Sequence, residues 1–377
     1  MRKKMAVVRA IDVRLIQAEY AAEFKKLEPF FVSNSDLRVN KYLIRAGVEH
    51  IKLKLARPYL VDPVSMLLGK TGPQSWLGFE RKSLEKELKL IDIYQIQEPF
   101  FLYAGQVADV ARKFNKLLIA APWMCFNHMS TYIPPYCLSV RKVMEKTDLF
   151  LMRAKRVNNY LDGFKIPESK RVLVYHGINT KRFYPREKKK AGNKVRVLFV
   201  GMLYPHKGID DILDILPKLV KATKKKVELM VYGRGVLEPR VREASEDLPI
   251  KYMGRVSNLA LAKAYRQADI FCGPSKDWFW LGMKRTEEGF GWVFAEAMAS
   301  GLPVVTNDCG AITEVVGDKN MVNEQGDKQA LLKSLLELIS DSKLREEIGK
   351  ENRRRAVKMF DLAKQVAKEE EIILKYV

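Results

Sequence analysis

The sequence predicts an α/β protein built from two doubly wound parallel sheets. Short continuous apolar runs alternate with amphipathic helical stretches through the second half of the chain. That is the pattern of strands buried on both faces and joined by crossover helices. The runs end in turns, Gly201-Met202, Gly233-Arg234-Gly235, Gly254-Arg255 and Pro274-Ser275, and in such sheets ligands bind at those carboxyl ends. With 377 residues, 47% of them hydrophobic, the chain is long enough for two cores.

In the first half the reading is less regular. Ala6 to Ala10 is expected as a strand, Val13 to Lys26 as a helix and Pro29 to Ser33 as a strand. Leu90 to Gln95 and Lys116 to Ala121 are further strands around a helix from Phe101 to Phe114. Asp148 to Met152 and Val172 to Tyr175 complete the first sheet. Residues 182–193 break the rhythm with proline, glycine and a charge run, as a linker does.

The second sheet is expected from Val195 to Val200, Val227 to Tyr232, Ile250 to Met253, Asp269 to Gly273 and Leu302 to Val305. Between them, Ile209 to Val220 places Ile209, Ile212, Leu213, Leu216 and Leu219 on one helical face. Pro239 to Glu246 is the next helix, and Ser257 caps one from Asn258 to Gln267. From Asp327 onward the chain is read as helical, with Lys343 to Phe360 and Leu362 to Tyr376 as its last stretches.

Composition narrows the partners. No run of eighteen or more apolar residues suggests a membrane-spanning helix, and the short apolar run after Met1-Arg-Lys-Lys reads as a first strand, not as a signal peptide. Cys125, Cys137, Cys272 and Cys309 lack metal-site spacing and read as reduced structural thiols of a cytoplasmic protein. The net charge of +22 favours polyanions, whether an anionic membrane surface, nucleic acid or phosphorylated ligands, although a solvated lysine-rich surface explains it equally well. The runs Lys188 to Lys190, Lys224 to Lys226 and Arg353 to Arg355 read as solvated faces. Lys276 to Arg285 is aromatic and basic, with Trp278 and Trp280 alternating as in a strand, and suits a membrane-interface loop, a cleft wall or a packed insertion.

The chemistry concentrates in Glu288-Gly-Phe-Gly-Trp-Val-Phe-Ala-Glu296 and the following Ala-Met-Ala-Ser-Gly-Leu-Pro-Val-Val305. Seven residues separate the two acids. One acid is expected in the loop before a helix and the other two turns inside it. A ligand at that helix N-terminus meets backbone N–H donors suited to phosphate and carboxylates suited to sugar hydroxyls.

This segment resembles the signature of retaining, nucleotide-sugar-dependent glycosyltransferases of family 4. The resemblance implies the GT-B fold: two Rossmann-like domains facing a cleft, with a C-terminal helix crossing back to the first. On that pattern residues 1–182 form an acceptor-side domain with 355–377 packed on it, and 194–354 form the donor domain. Val172 to Pro185 is similar to the family's segment at the end of the first domain, with Asn179 where Asp is usual. Val200 to Gly208 is similar to its phosphate loop, keeping Lys207 but carrying Met202 where Arg is usual. Either Arg9, Arg234 or Arg255 replaces that cation, or donor affinity is low. Ala311 to Asp318 is similar to the segment lining the donor site, with Gly310 allowing close backbone approach.

The resemblance assigns Glu296 to the ribose hydroxyls and Glu288 to the donor sugar. Gly289, Phe290 and Gly291 present backbone N–H groups, Gly201 belongs to the donor loop, and Lys207 holds the leaving diphosphate. His128, after a first-domain strand, is expected at the donor sugar; His206, beside Lys207, is a candidate for a phosphate contact, and His176, in a strand-end turn, reads as structural. No metal and no cofactor beyond the nucleotide-sugar are expected, since there is no Asp-x-Asp motif; the Asp210-Asp211 pair reads as helix-dipole compensation. The acceptor is a hydroxyl on a lipid-linked glycan, polysaccharide or similar, and no specific nucleic acid is expected. A peripheral seat on the inner membrane face is the further expectation. The alternative reading is a polyanion-, membrane- or nucleic-acid-binding module with reduced or no catalysis, motivated by the charge and by Met202. Another enzyme on the same fold, an epimerase or a phosphorylase, is less favoured by the paired acids.

Overall fold

The computed structural model describes residues 2–9, 15–34, 43–56, 78–128, 131–187 and 193–377. The chain divides into two compact units. The first comprises Met1–Gly177, Trp280–Arg285 and Leu362–Val377; the second comprises Ile178–Phe279 and Thr286–Asp361. Each is built on a parallel sheet.

The first sheet has seven strands: β1 (Lys4–Val8), β2 (Glu28–Ser33), β3 (Glu49–Lys52), β4 (Ile93–Ile96), β5 (Leu117–Ala120), β6 (Leu149–Met152) and β7 (Arg171–Leu173). Their order is β3-β2-β1-β4-β5-β6-β7. The crossovers are α1 (Leu15–Ala22), α2 (Arg81–Leu88), α3 (Leu102–Lys113), α4 (Tyr136–Lys146) and α5 (Val157–Asp162). The helix expected from Val13 is described only from Leu15 and stops at Ala22, four residues before Lys26; Val13 and Ala10 lie outside the described residues, as do Lys188 to Lys190. The central strands are buried on both faces, as the four buried residues of β4 illustrate, while the edge strand β3 is polar and half-open.

The second sheet has six strands, in the order β10-β9-β8-β11-β14-β15. They are β8 (Lys194–Val200), β9 (Lys226–Tyr232), β10 (Ile250–Gly254), β11 (Ile270–Gly273), β14 (Val304–Asn307) and β15 (Met321–Asn323). A separate hairpin pairs β12 (Trp278–Trp280) with β13 (Met283–Thr286). The helices are α6 (Ile209–Ala222), α7 (Glu238–Asp247), α8 (Asn258–Gln267), α9 (Trp292–Ala299), α10 (Ile312–Val316), α11 (Lys328–Ser340), α12 (Ser342–Met359) and α13 (Leu362–Ile373). Three begin on side-chain caps: Ser257 accepts from Ala260 N, Asp327 from Ala330 N and Asp341 from Leu344 N. The apolar face read for α6 is buried against β8, β9 and α11.

Three expectations need correction. The strand expected at Leu302 begins at Val304, because Leu302 N still bonds the carbonyl of Ala297 and closes the preceding helix. The signature helix begins at Trp292, after Gly291 at φ 74°, so Glu296 lies just over one turn inside it and not two. Arg353 and Arg355 do not form a solvated face. Arg353 donates to the carbonyls of Thr180, Phe183 and Ala299, and Arg355 to those of Glu314 and Val315.

The last helix, α13, is part of the first unit's core through Leu362, Val366 and Ile373. Two acids fix it. Glu370 Oε1 accepts from the backbone N–H of Lys25, Lys26 and Leu27 at 2.6–2.9 Å. Glu369 pairs with Arg153 at 2.9 Å and also accepts from Tyr20 and Gln95. Burial of an ion pair is tolerated only with such additional hydrogen bonds.

Candidate functional site

In the second sheet, β8 and β11 are neighbours whose successors wind in opposite directions, β9 and β10 to one side, β14 and β15 to the other. The crevice beyond their carboxyl ends is the topological switch point, where doubly wound sheets bind ligands. The loop Gly201 to Gly208 leaves β8 there and Pro274 to Lys276 leaves β11. The two loops are joined: Lys276 N donates to His206 O at 2.8 Å, and Gly208, at φ 74°, lies so close to the Pro274 carbonyl that a Cβ would collide with it. Asn307 secures the same carbonyl from the end of β14, at 3.1 Å.

Lys207 ends a short 3-10 turn in this loop, and its Nζ forms an ion pair with Glu288 Oε1. Both side chains are half-buried. Burial lowers the Lys207 ammonium to about 8. Glu288 is held by its backbone: its carbonyl accepts from Ala311 N at 2.7 Å. Gly310 sits against that same backbone at φ 56°, where any Cβ would clash. The close approach read for Gly310 is therefore to Glu288.

Gly289, Phe290 and Gly291 follow at the start of α9, whose N-terminus has no side-chain cap. Its first-turn N–H groups and dipole favour an anion. Phe290 is buried, against Phe360 and Trp292. Glu296, only 6% exposed, lies 3.0 Å from the Tyr265 hydroxyl on α8. Burial raises the Tyr265 phenol far above its ordinary range, with the Glu296 charge adding to the effect; this tyrosine stays a neutral donor. Tyr265 was not foreseen, since on α8 it occupies a buried position indistinguishable in sequence from core.

Gly201 opens the β8 loop, and Met202 beside it is exposed, so no side-chain cation stands at that position. Arg234 and Arg255 are exposed at the ends of β9 and β10, with Arg234 Nε close to Gly254. Arg9 belongs to the first unit, where it is buried and donates to the Val8 carbonyl at 3.3 Å. His206 stacks on Trp278 at 6.2 Å, and burial lowers it to about 4, so it is neutral at pH 7. Asp210 and Asp211, in the first turn of α6, pair with Lys276. The buried Cys309 thiol donates to Asp277; all four cysteines are free thiols.

His128 lies in the first unit, buried after β5 with its ring 6.0 Å from Phe126. His176 is half-buried there beside Trp123. A residue the sequence did not single out is Glu98, just beyond β4. It is fully buried, accepts from Trp123 N and Met124 N, and is pushed up to about 8 by burial. Its place beyond β4, at the β1/β4 switch point, becomes visible only once the strand order is known.

Residues 180–355 match the model of the glycosyl transferases group 1. A phosphatidyl-myo-inositol mannosyltransferase of Mycolicibacterium smegmatis is 34% identical over 189 residues, covering 49% of this chain and 45% of the relative. A GDP-mannose-dependent monoacylated alpha-(1-6)-phosphatidylinositol monomannoside mannosyltransferase of Corynebacterium glutamicum is 28% identical over 186 residues, 46% of this chain and 48% of the relative. The chain thus spans about half the length of these relatives. Among solved structures, Anabaena Alr3699/HepE in complex with UDP and glucose superposes with a TM-score of 0.74 at 13% identity, covering 99% of this chain and 100% of that one. Sucrose-phosphate synthase from Thermosynechococcus elongatus gives 0.75 at 15%, covering 100% and 99%. At such identities these two show the fold, that of GT-B glycosyltransferases. The likeness to the group 1 glycosyl transferases thus lies in residues 180–355, largely within the second unit.

Proposed function

We propose that the protein transfers a sugar, with retention of configuration, from a nucleoside diphosphate-sugar to a hydroxyl of a lipid-linked or polysaccharide acceptor. The observation that carries this reading is the Lys207–Glu288 pair at the β8/β11 switch point, beside the uncapped N-terminus of α9. A half-buried cation next to a helix N-terminus suits a leaving diphosphate, and a carboxylate beside it suits the sugar hydroxyls or positive charge at the anomeric carbon. Relatives named as phosphatidyl-myo-inositol mannosyltransferases support a lipid-linked acceptor, and a neighbour solved with UDP and glucose supports a nucleotide-sugar donor.

In this reading the diphosphate takes the electron pair of the C1–O bond, and Lys207 with the α9 N–H groups holds the charge that develops. The acceptor oxygen bonds C1 from the same face, and its proton passes to the departing phosphate oxygen. Glu296, oriented by Tyr265, takes ribose hydroxyls; Gly289 to Gly291 offer backbone donors; Gly201, Arg234 and Arg255 border the nucleotide. His128 contributes at the donor sugar. Turnover is expected to persist with a chelator present.

The test is release of nucleoside diphosphate from UDP-, GDP- and ADP-sugars without acceptor, for wild type and Glu296→Ala, with the anomeric configuration of a transfer product read by NMR. Release from one donor, lost in Glu296→Ala, supports a transferase and names its base. No release from any donor, with salt-sensitive binding to nucleic acid, favours the non-catalytic module instead.

A further inference from the structure

We propose that the β12–β13 hairpin is a membrane-insertion tip that seats the protein on an anionic lipid bilayer. β12 ends at Trp280 and β13 begins at Met283, leaving Leu281-Gly282 as a two-residue turn. Both turn residues have positive φ, 49° and 74°, as a type I′ turn requires. Such positions favour Asn, Asp or Gly, and leucine is strained there. Here the leucine is also 77% exposed, with Phe279 at 53% and Met283 at 41%. Among the described residues nothing lies near the turn glycine either. The fold therefore holds a strained backbone to present a large apolar side chain at the apex of an aromatic hairpin. Core packing does not explain that choice, because the side chain is not in the core.

The flanking chemistry selects a lipid surface as the occupant. Trp278 and Trp280 stand just behind the apex, where indoles favour the headgroup boundary. Lys284 follows half-exposed on the second strand, Arg285 beside it is buried 5.6 Å from the Trp280 ring, and the chain as a whole carries +22. Lys276, at the base, is neutralised by Asp210 and Asp211, so the half-exposed Lys284 and the strongly basic chain as a whole supply the attraction to an anionic surface. An apolar apex backed by indoles, on a strongly basic chain, matches the layering of an anionic bilayer from acyl chains outward. Among the described residues no helix is long and apolar enough to cross a membrane, so the contact is interfacial. This inference adds a surface to the proposed transferase without resting on it.

The experiment is co-sedimentation of the full chain with vesicles of phosphatidylcholine, with and without phosphatidylglycerol, alongside tryptophan emission. Wild type is expected to bind the anionic vesicles with a blue shift and to bind the neutral ones more weakly. Phe279→Ser/Leu281→Asn is expected to weaken binding at least about tenfold, the loss of two inserted apolar side chains. Because asparagine accepts the turn conformation, Leu281→Asn alone keeps or raises the melting temperature. Nucleoside diphosphate release from a soluble donor is expected to be equal in the variants and wild type, so a failed transferase reading and a failed membrane reading give different results. Absence of wild-type binding to anionic vesicles overturns the proposal. So does undiminished binding by the double variant, or a lowered melting temperature for Leu281→Asn, which would mean the tip packs within the protein.

Discussion

Removing Glu369 is expected to unfold much of the first unit's margin of stability. The Glu369 side chain is fully buried and Arg153, 2.9 Å away, is 4% exposed. Glu369→Ala leaves the Arg153 guanidinium with the Val174 carbonyl and the Tyr20 hydroxyl as weak, neutral partners at 3.3 and 3.5 Å. It also removes the charged acceptor of the Tyr20 hydroxyl and the Gln95 amide, leaving them only each other. Breaking a buried pair in this way costs about 3–5 kcal/mol. For a domain of this size each kcal/mol lowers the melting temperature by roughly 2–4 °C, so a fall of about 6–20 °C is expected in a calorimetric scan. Replacing both partners, as Arg153→Met/Glu369→Leu, removes both desolvation costs and is expected to recover most of the loss. If Glu369→Ala costs less than about 1 kcal/mol, or the double replacement is as unstable as Glu369→Ala, the guanidinium is not relying on that carboxylate and the account of how α13 is held is wrong.

Three further outcomes are expected. Lys207 titrates near 8 in the fold against 10.5 ordinarily; its buried charge therefore weighs on stability below pH 8 and that weight lifts as pH rises from 8 toward 10.5. Donor kcat/KM should correspondingly fall above about pH 8, a limb that Lys207→Arg moves upward, while Lys207→Met lowers kcat/KM by about 10–150-fold, the worth of one charged phosphate contact; a pH-independent profile in wild type would count against the assignment. Tyr265→Phe removes the hydroxyl 3.0 Å from Glu296 and should raise donor KM about fivefold, for roughly 1 kcal/mol, with kcat little changed; an equal fall in kcat would place Tyr265 elsewhere in the reaction. Glu98 is raised to about 8 from 4.5, so its stabilising contribution is full below pH 4.5 and is lost as pH rises through 8. Glu98→Gln should flatten that loss in urea titrations between pH 6 and 9, and an unchanged slope would remove Glu98 as its source.

Most of the second unit was legible in the sequence. Its strands are short apolar runs buried on both faces, a local pattern that needs no knowledge of neighbours, and Ser257 marks its helix start as read. The Lys207 and Glu288 motifs were legible too, because loop and signature each carry their own glycines, though nothing in either states that the two side chains touch. Less of the first unit was legible. β3 is a polar edge strand, and Glu49 to Lys52 become a strand only by pairing with β2. The basic run at Arg353 looked solvated because spacing does not reveal that three carbonyls from Thr180, Phe183 and Ala299 converge on one guanidinium.

By itself, then, the sequence determined the two-sheet α/β class, the donor signature and the residue types its chemistry requires. These rest on periodicity and glycine placement, which act over a few residues. Only the tertiary structure decided which distant groups meet: Tyr265 with Glu296, Glu370 with the backbone of Lys25 to Leu27, Arg153 with Glu369. Such contacts follow from how helices dock on the sheets, and a charged or hydroxyl side chain reads the same in sequence whether it faces water or closes a buried network.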